Sequence, residues 1–136
     1  MATAQGAAAN PRALRALSPE ECFDLLEPGG IGRVGFTAGG EIVMLPVNFA
    51  VTGKVIVFRT APDTLLAQCG KAQVSFEVDR FDEARREGWS VLVQGRAHEV
   101  RQLEDRTQLQ PWASGARDVY LRIAPARISG RRIQSG

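Results

Sequence analysis

Residues 41–60 read EIVMLPVNFAVTGKVIVFRT, and this stretch decides the fold class. Val43, Leu45, Val47, Phe49 and Val51 occupy every second position, with Ile42, Met44, Pro46, Asn48 and Ala50 between them. Successive side chains of a strand point to opposite faces, so a period of two predicts a strand and not a helix. Thr52-Gly53 then supplies a turn, and Val55 to Thr60 resumes the alternation, with Val55 and Val57 set against Ile56 and Phe58. Two alternating runs joined by so short a link are a β-hairpin.

The pattern spreads in both directions. Upstream, Val34 and Phe36 alternate with Arg33, Gly35 and Thr37 before the turn signal Ala38-Gly39-Gly40. Three strands joined by two short turns make an antiparallel meander. Downstream, Ala72, Val74, Phe76 and Val78 alternate with Gln73, Ser75, Glu77 and Asp79, which predicts a strand with one wet face. The charged run Phe81 to Glu87 reads as a loop or single turn. Trp89 to Val100 reads as a long strand, with Gly95 marking a bulge or a close backbone approach. Asp118 to Ile123 opens a last strand whose pattern extends past Pro125 toward Ile133.

Helices are short and few. Ser18-Pro19-Glu20-Glu21 carries a capping residue, a proline at the first helical position and Glu three residues after the cap. Cys22, Leu25 and Leu26, with Phe23 flanking, continue at helical spacing until Pro28-Gly29-Gly30 ends the run. Pro62 to Cys69 predicts a second short helix opened by proline, and Gln102 to Gln110 a polar one stopped by Pro111. The sum is a mainly β fold: a six-stranded antiparallel barrel, closed or nearly so, with a few short helices.

Composition narrows the function. At 136 residues the chain is one domain. The Ala-rich residues 1–16 read as a flexible tail and residues 17–136 as the folded unit. No apolar run reaches the roughly 20 residues of a membrane helix, and the start lacks the basic and apolar blocks of a secretory signal. Seventeen basic residues face fifteen acidic ones, a balance without the concentrated basic face that nucleic acid requires. Cys22 and Cys69 match no metal or redox spacing and fit a reducing cytoplasm as small apolar groups. His98 is the sole histidine, so a site of several imidazoles is excluded. No Gly-rich phosphate loop and no Gly-x-Ser-x-Gly elbow occurs, and the carboxylates are dispersed. Neither a catalytic side chain nor a metal ligand is nominated.

One constellation remains. Pro46-Val47-Asn48-Phe49 lies on one strand of the hairpin, Phe58-Arg59-Thr60 ends the other, and Thr64 follows at the predicted helix start. Proline cannot donate to a ladder, so the strand edge beside Pro46 is open to a flat heterocycle. Arg59 and Thr60 beside a helix N-terminus can hold an anion. Each residue also has a purely structural reading. Asn48 can cap a bulge, Pro46 can protect an edge, Arg59 can be solvated or ion-paired, and Trp89 can pack in a core or interface.

The order of these segments resembles the pyridoxamine 5′-phosphate oxidase-like family of FMN-binding split barrels. The matching stretches are Gly32 to Phe36, Pro46 to Phe49, Val57 to Thr60, Val74 to Asp79, Gly88 to Val91 and Gly95 to Ala97. The resemblance implies a homodimer with the cofactor at the subunit interface. Pro46, Val47, Asn48 and Phe49 would lie along the flavin ring. Phe58, Arg59, Thr60, Thr64 and Leu65 would lie at the phosphate tail, and Trp89 would reach the open ring face from the partner subunit.

The chain departs from the family pattern at one place: Asp63-Thr64-Leu65-Leu66 stands where many relatives have Gly-Thr-Lys-Leu. Losing that lysine removes a charge-assisted contact of about 1.5–3 kcal/mol, which weakens the phosphate site tenfold or more. Arg80 or Arg96 could supply the missing charge. The implied activity is hydride transfer between FMN and a small planar substrate. Alternatives are a reductase dependent on the deazaflavin F420, a non-catalytic flavin- or haem-binding dimer and, last, a barrel for single-stranded nucleic acid.

Overall fold

In the computed structural model, which describes residues 12–61, 64–100 and 119–135, the meander of residues 30–60 is present. In chain order the elements are β1 (Arg12–Leu17), α1 (Pro19–Leu26), β2 (Gly30–Ala38), β3 (Glu41–Thr52), β4 (Val55–Thr60), a 3-10 turn (Leu66–Cys69), β5 (Gln73–Asp82), β6 (Glu87–Val100) and β7 (Val119–Ser135). Gly39-Gly40 joins β2 to β3, and Gly53-Lys54 joins β3 to β4, all four residues at positive φ. Two-residue turns of that hand match the twist of the strands they connect.

The strand order is β1-β7-β4-β3-β2-β5-β6, and β6 also pairs with β7. Six strands, β2 to β7, therefore close on themselves. The closure is thin at one seam, where β2 and β5 pair only through Arg33–Glu77, Val34–Phe76 and Gly35–Ser75. It is thick at β6 and β7, which run together from Gly88–Ile133 to Val100–Tyr120. That long ladder shifts register between Gln94 and Gly95, leaving Ala126 of β7 as the extra residue next to Pro125. A Cβ on Gly95 would stand 2.7 Å from the Ala124 carbonyl oxygen, so this is the close approach that Gly95 predicts.

Phe36, Phe49, Phe58 and Phe76 fill the barrel together with Val34, Ile56, Val91, Val93, Leu121 and Ile123. Ser18 caps α1 as expected: its Oγ accepts from the Glu21 N–H at 3.1 Å, and Glu21 Oε1 accepts from the Ser18 N–H at 2.8 Å. That bond, and then the Arg15 side chain, hold the Glu21 carboxyl below its ordinary value. The helix packs Cys22 and Leu26 inward, against β7 at Gly130, whose missing side chain makes room for Cys22 and Leu17.

Four expectations need correction or bounding. Residues 12–16 are not tail: they belong to β1, which pairs with the end of β7 from Arg12–Ser135 to Leu17–Gly130. Their Ala-Leu composition carries no strand signal, and the pairing depends on the edge of β7 that β4 leaves uncovered. Phe81 and Asp82 extend β5 and Glu87 opens β6, so only Glu83–Arg86 turn; the ladder holds their backbones although the side chains of Phe81 and Asp82 are exposed. The second helix shrinks to one 3-10 turn, held by Ala67 N–H to Thr64 O and Gln68 N–H to Leu65 O. The turn buries Leu66 and Cys69 together on one face. Pro62 and Asp63, the predicted helix 102–110 and Asp118 lie outside the described residues.

Candidate functional site

β3 and β4 begin as a regular hairpin and then part. They pair from Thr52–Val55 to Phe49–Phe58, and there the ladder stops. β4 turns instead to β7, pairing Arg59 with Tyr120 and Thr60 with Val119. β3 keeps β2 on its other side all the way to Glu41. Among the described residues no strand covers the β4 side of β3 between residues 41 and 48.

Alternation tells which groups line this opening. Thr52 and Val55 flank a two-residue turn and so form a hydrogen-bonded pair. Counting back by twos sends the main-chain groups of Ala50, Asn48, Pro46 and Met44 toward the β4 side. Pro46 therefore sits where its missing N–H breaks no ladder bond. The Met44 amide and carbonyl and the Pro46 carbonyl face the gap.

The side chains of the nominated residues divide by face. Val47 and Phe49 are 4% and 3% exposed, and the Phe49 ring meets Phe76 edge-on at 5.0 Å between centroids. Phe58 is fully buried. These three belong to the core, and only their backbones can serve a ligand. Pro46 is exposed and Asn48 half-buried on the outer face.

The same alternation separates the residues expected at the anionic tail. Phe58 and Thr60 point inward along β4, while Val57 and Arg59 point outward. Arg59 Nη1 donates to the Tyr120 hydroxyl at 3.5 Å on the outer face. Thr60 turns instead to Thr64, their hydroxyl oxygens 2.6 Å apart. Thr64 Oγ1 donates to the Ala61 carbonyl at 2.8 Å and accepts from the Ala67 N–H at 3.3 Å. A hydroxyl has one proton, so Thr60 is the donor of the shared bond, and both threonine protons are used within the chain. The threonines brace the turn after β4. Leu65, beside them, is 42% exposed.

The outer-face group at the parting of β3 and β4 is thus Pro46, Asn48, Arg59 and Tyr120. Tyr120 is not among the residues nominated from sequence. It enters only through the pairing of β4 with β7, although it is the one tyrosine in the chain.

Trp89 is not brought to this opening within one chain. It pairs with Arg80 and Arg132, whereas Arg59 aligns through Tyr120 with Val100 at the other end of β6. The stretch from Trp89 to Val100 spans roughly 36 Å of strand. Of the two substitute cations, Arg80 stays with Trp89, its guanidinium 5.9 Å from the ring centroid. Arg96 Nη1 donates to the Lys71 carbonyl at 2.5 Å.

Cys22 and Cys69 are both fully buried. Burial pushes the Cys69 thiol up to about 11 and raises that of Cys22, which also faces the Glu21 charge. Neither is a nucleophile at neutral pH. Among the described residues no group of three His, Cys, Asp or Glu side chains could hold a metal ion, and no helix is long and apolar enough to cross a membrane.

Comparison with known proteins agrees with this architecture. The family model described as pyridoxamine 5′-phosphate oxidase matches residues 18–132. An uncharacterised protein of Mycobacterium tuberculosis is 32% identical over 127 residues, covering 86% of this chain and 84% of that protein. Among solved structures, the FAD binding protein from Mycobacterium smegmatis has 37% identity and a TM-score of 0.77, covering 89% of this chain and 99% of its own. A conserved protein of unknown function from Corynebacterium diphtheriae has 30% identity and a TM-score of 0.70, covering 90% and 98%.

Proposed function

We propose that this chain, which belongs to the pyridoxamine 5′-phosphate oxidase family, is a flavin-binding protein whose cofactor lies at the parting of β3 and β4. The observation that carries this reading is the ladder ending at Phe49–Phe58. It leaves main-chain donors and acceptors beside an exposed proline, with one arginine and one tyrosine adjacent. That donor set fits a planar heterocycle with several polar edge atoms and an anionic side arm.

The residues in hand favour FAD over FMN or a deazaflavin. FMN ends in a dianionic phosphate and needs concentrated positive charge. Here the family's lysine is Leu65, Asp63 precedes Thr64, and the Thr60 and Thr64 hydroxyl protons are already spent. The diphosphate of FAD spreads its charge and makes a smaller local demand. The FAD binding protein from Mycobacterium smegmatis, at 37% identity, supports the same choice.

A bound flavin supplies hydride and electron transfer; the chain supplies position. Met44 and Pro46 would offer their main-chain groups to the polar edge of the ring. Arg59, steadied by Tyr120, would meet the anionic arm. The exposed apolar residues Ile42, 85% exposed, and Met44, 59% exposed, continue the same outer face and suit a second copy of this chain. Such a homodimer is also what would bring Trp89 to the flavin of its partner. Oxidoreduction of a small planar substrate is the corresponding activity, in the cytoplasm.

Titration of the purified chain with FAD, FMN and F420, followed by visible absorption, tests the reading. FAD should bind with the perturbed spectrum of a desolvated ring, more tightly than FMN. Absence of binding by all three overturns the proposal. Light scattering should show a dimer. Reduction of the bound flavin by NADH or NADPH separates an oxidoreductase from a carrier that binds without turnover.

A further inference from the structure

Charge that nearly balances over the whole chain is unevenly placed on its surface. Beyond Tyr120, the outward positions of β7 carry Arg122, Arg127 and Arg131, and those of β6 carry Arg96 and His98. Among the described residues no carboxylate shares the outward face of these two strands or of β4. Glu99 alternates to the barrel side of β6. The outward carboxylates of β5, Glu77 and Asp79, stand opposite Leu92 and Ser90, toward the other end of β6. Both are engaged there: Glu77 Oε2 accepts from Ser90 Oγ at 3.2 Å, and Asp79 lies 3.7 Å from Arg33 Nη1.

The step from Arg59 into this basic face is short. Arg59 pairs with Tyr120 and Val57 with Arg122, so Arg122 is a diagonal neighbour of Arg59 on the same face. Such neighbours across an antiparallel pair stand about 7–8 Å apart, within reach of two long side chains. His98 lies directly opposite Arg122, and Arg96 precedes it by two residues. Arg122 and His98 are exposed, and neither makes an ion pair among the described residues. Toward β3 the outward residues Ala50 and Asn48 carry no charge, and the next cation that way, Arg33 beside Pro46, is drawn to Asp79. Uncompensated positive charge thus continues from Arg59 over β7 toward β6.

We propose that Arg122 is the residue that selects the longer flavin: it meets the phosphate of FAD that follows the one at Arg59, and His98 is next in line for the adenosine. The assignment rests on the flavin reading above and adds the course of the second half of the cofactor. A guanidinium fork meets two phosphate oxygens at once. An imidazole offers a flat face on which a purine stacks. FMN ends at Arg59 and has no group to place on Arg122.

Parallel titrations of the full chain and its variants with FAD and FMN, followed by visible absorption, test the assignment. Arg122→Gln should weaken FAD tenfold or more and leave FMN unchanged, and Arg122→Lys should retain most of the FAD affinity. His98→Ala should weaken FAD severalfold and spare FMN. Arg122 is exposed, so the thermal midpoint of Arg122→Gln should match that of the parent. Unchanged FAD affinity in Arg122→Gln, or an equal loss of FAD and FMN, overturns the assignment and leaves flavin binding in place. Failure of the parent chain to bind either flavin overturns the flavin reading itself, and the assignment with it.

Discussion

The two ends of this barrel expose opposite materials. At one end β4 leaves β3 after the Phe49–Phe58 pair, and what becomes available is main chain beside Pro46. At the other, β5, β6 and β7 stay paired to their ends and offer side chains in a row, Arg80–Trp89–Arg132. An interrupted ladder exposes polar backbone without needing unusual residues, whereas an intact ladder exposes only what its side chains carry. The first kind of surface is nearly silent in composition; the second is written in arginine and tryptophan.

The sharpest way to break the first end is to remove its hinge pin. Phe58 is fully buried at the last β3–β4 pair, and Phe58→Ala should cost about 3–5 kcal/mol in urea denaturation, with flavin binding lost as the strands rearrange. The long β6–β7 ladder between the two ends is tested by Gly95→Ala. Its new Cβ meets the Ala124 carbonyl oxygen, a backbone atom that cannot rotate away, so destabilisation of about 1–3 kcal/mol is expected from the thermal midpoint. A neutral result would mean that the β6–β7 bulge is more pliable than its register implies.

Leu65→Lys sharpens the comparison at modest energy. Leu65 is already 42% exposed, so folding should be untouched. FMN affinity should rise about tenfold, equivalent to about 1.4 kcal/mol, narrowing or inverting the preference for FAD in parallel titrations. The smallest effect is read on the pH axis. The folded state holds the Glu21 carboxyl below its ordinary value, so its contribution is complete above about pH 4.5 and fades as pH falls through the lowered value. Glu21→Gln should flatten that part of the acid-denaturation curve and leave stability at pH 7 to pH 9 parallel to the parent.

Much of the fold is legible in local pattern because the strands alternate cleanly. Val43 to Val51, Val74 to Val78 and Val91 to Val93 all face the core as their period demands, and Ser18-Pro19-Glu20-Glu21 closes its capping box. Where the reading fails, the deciding partner is remote in sequence. Arg12–Leu17 is a strand only because the end of β7 offers an edge, and Phe81-Asp82 because β6 folds back on it. The site was half legible. Pro46 and Arg59 are marked by residue type, but the pleat that turns Thr60 away from Arg59, and the ladder that brings in Tyr120, depend on which strand β4 prefers at its end. Sequence spacing places neighbours along a chain; it does not choose between two competing edges.

β7 holds three strands at once: β6 along one side, β4 and then β1 along the other. The β2–β4 meander and the β5–β6 hairpin can each form from nearby residues as the chain emerges. β4 and β6 then wait with bare edges, since the strand that bridges them is synthesised after all the other described elements. Closure is therefore a late, long-range event that also captures β1, and a chain stalled before β7 exposes two adhesive strand borders at once.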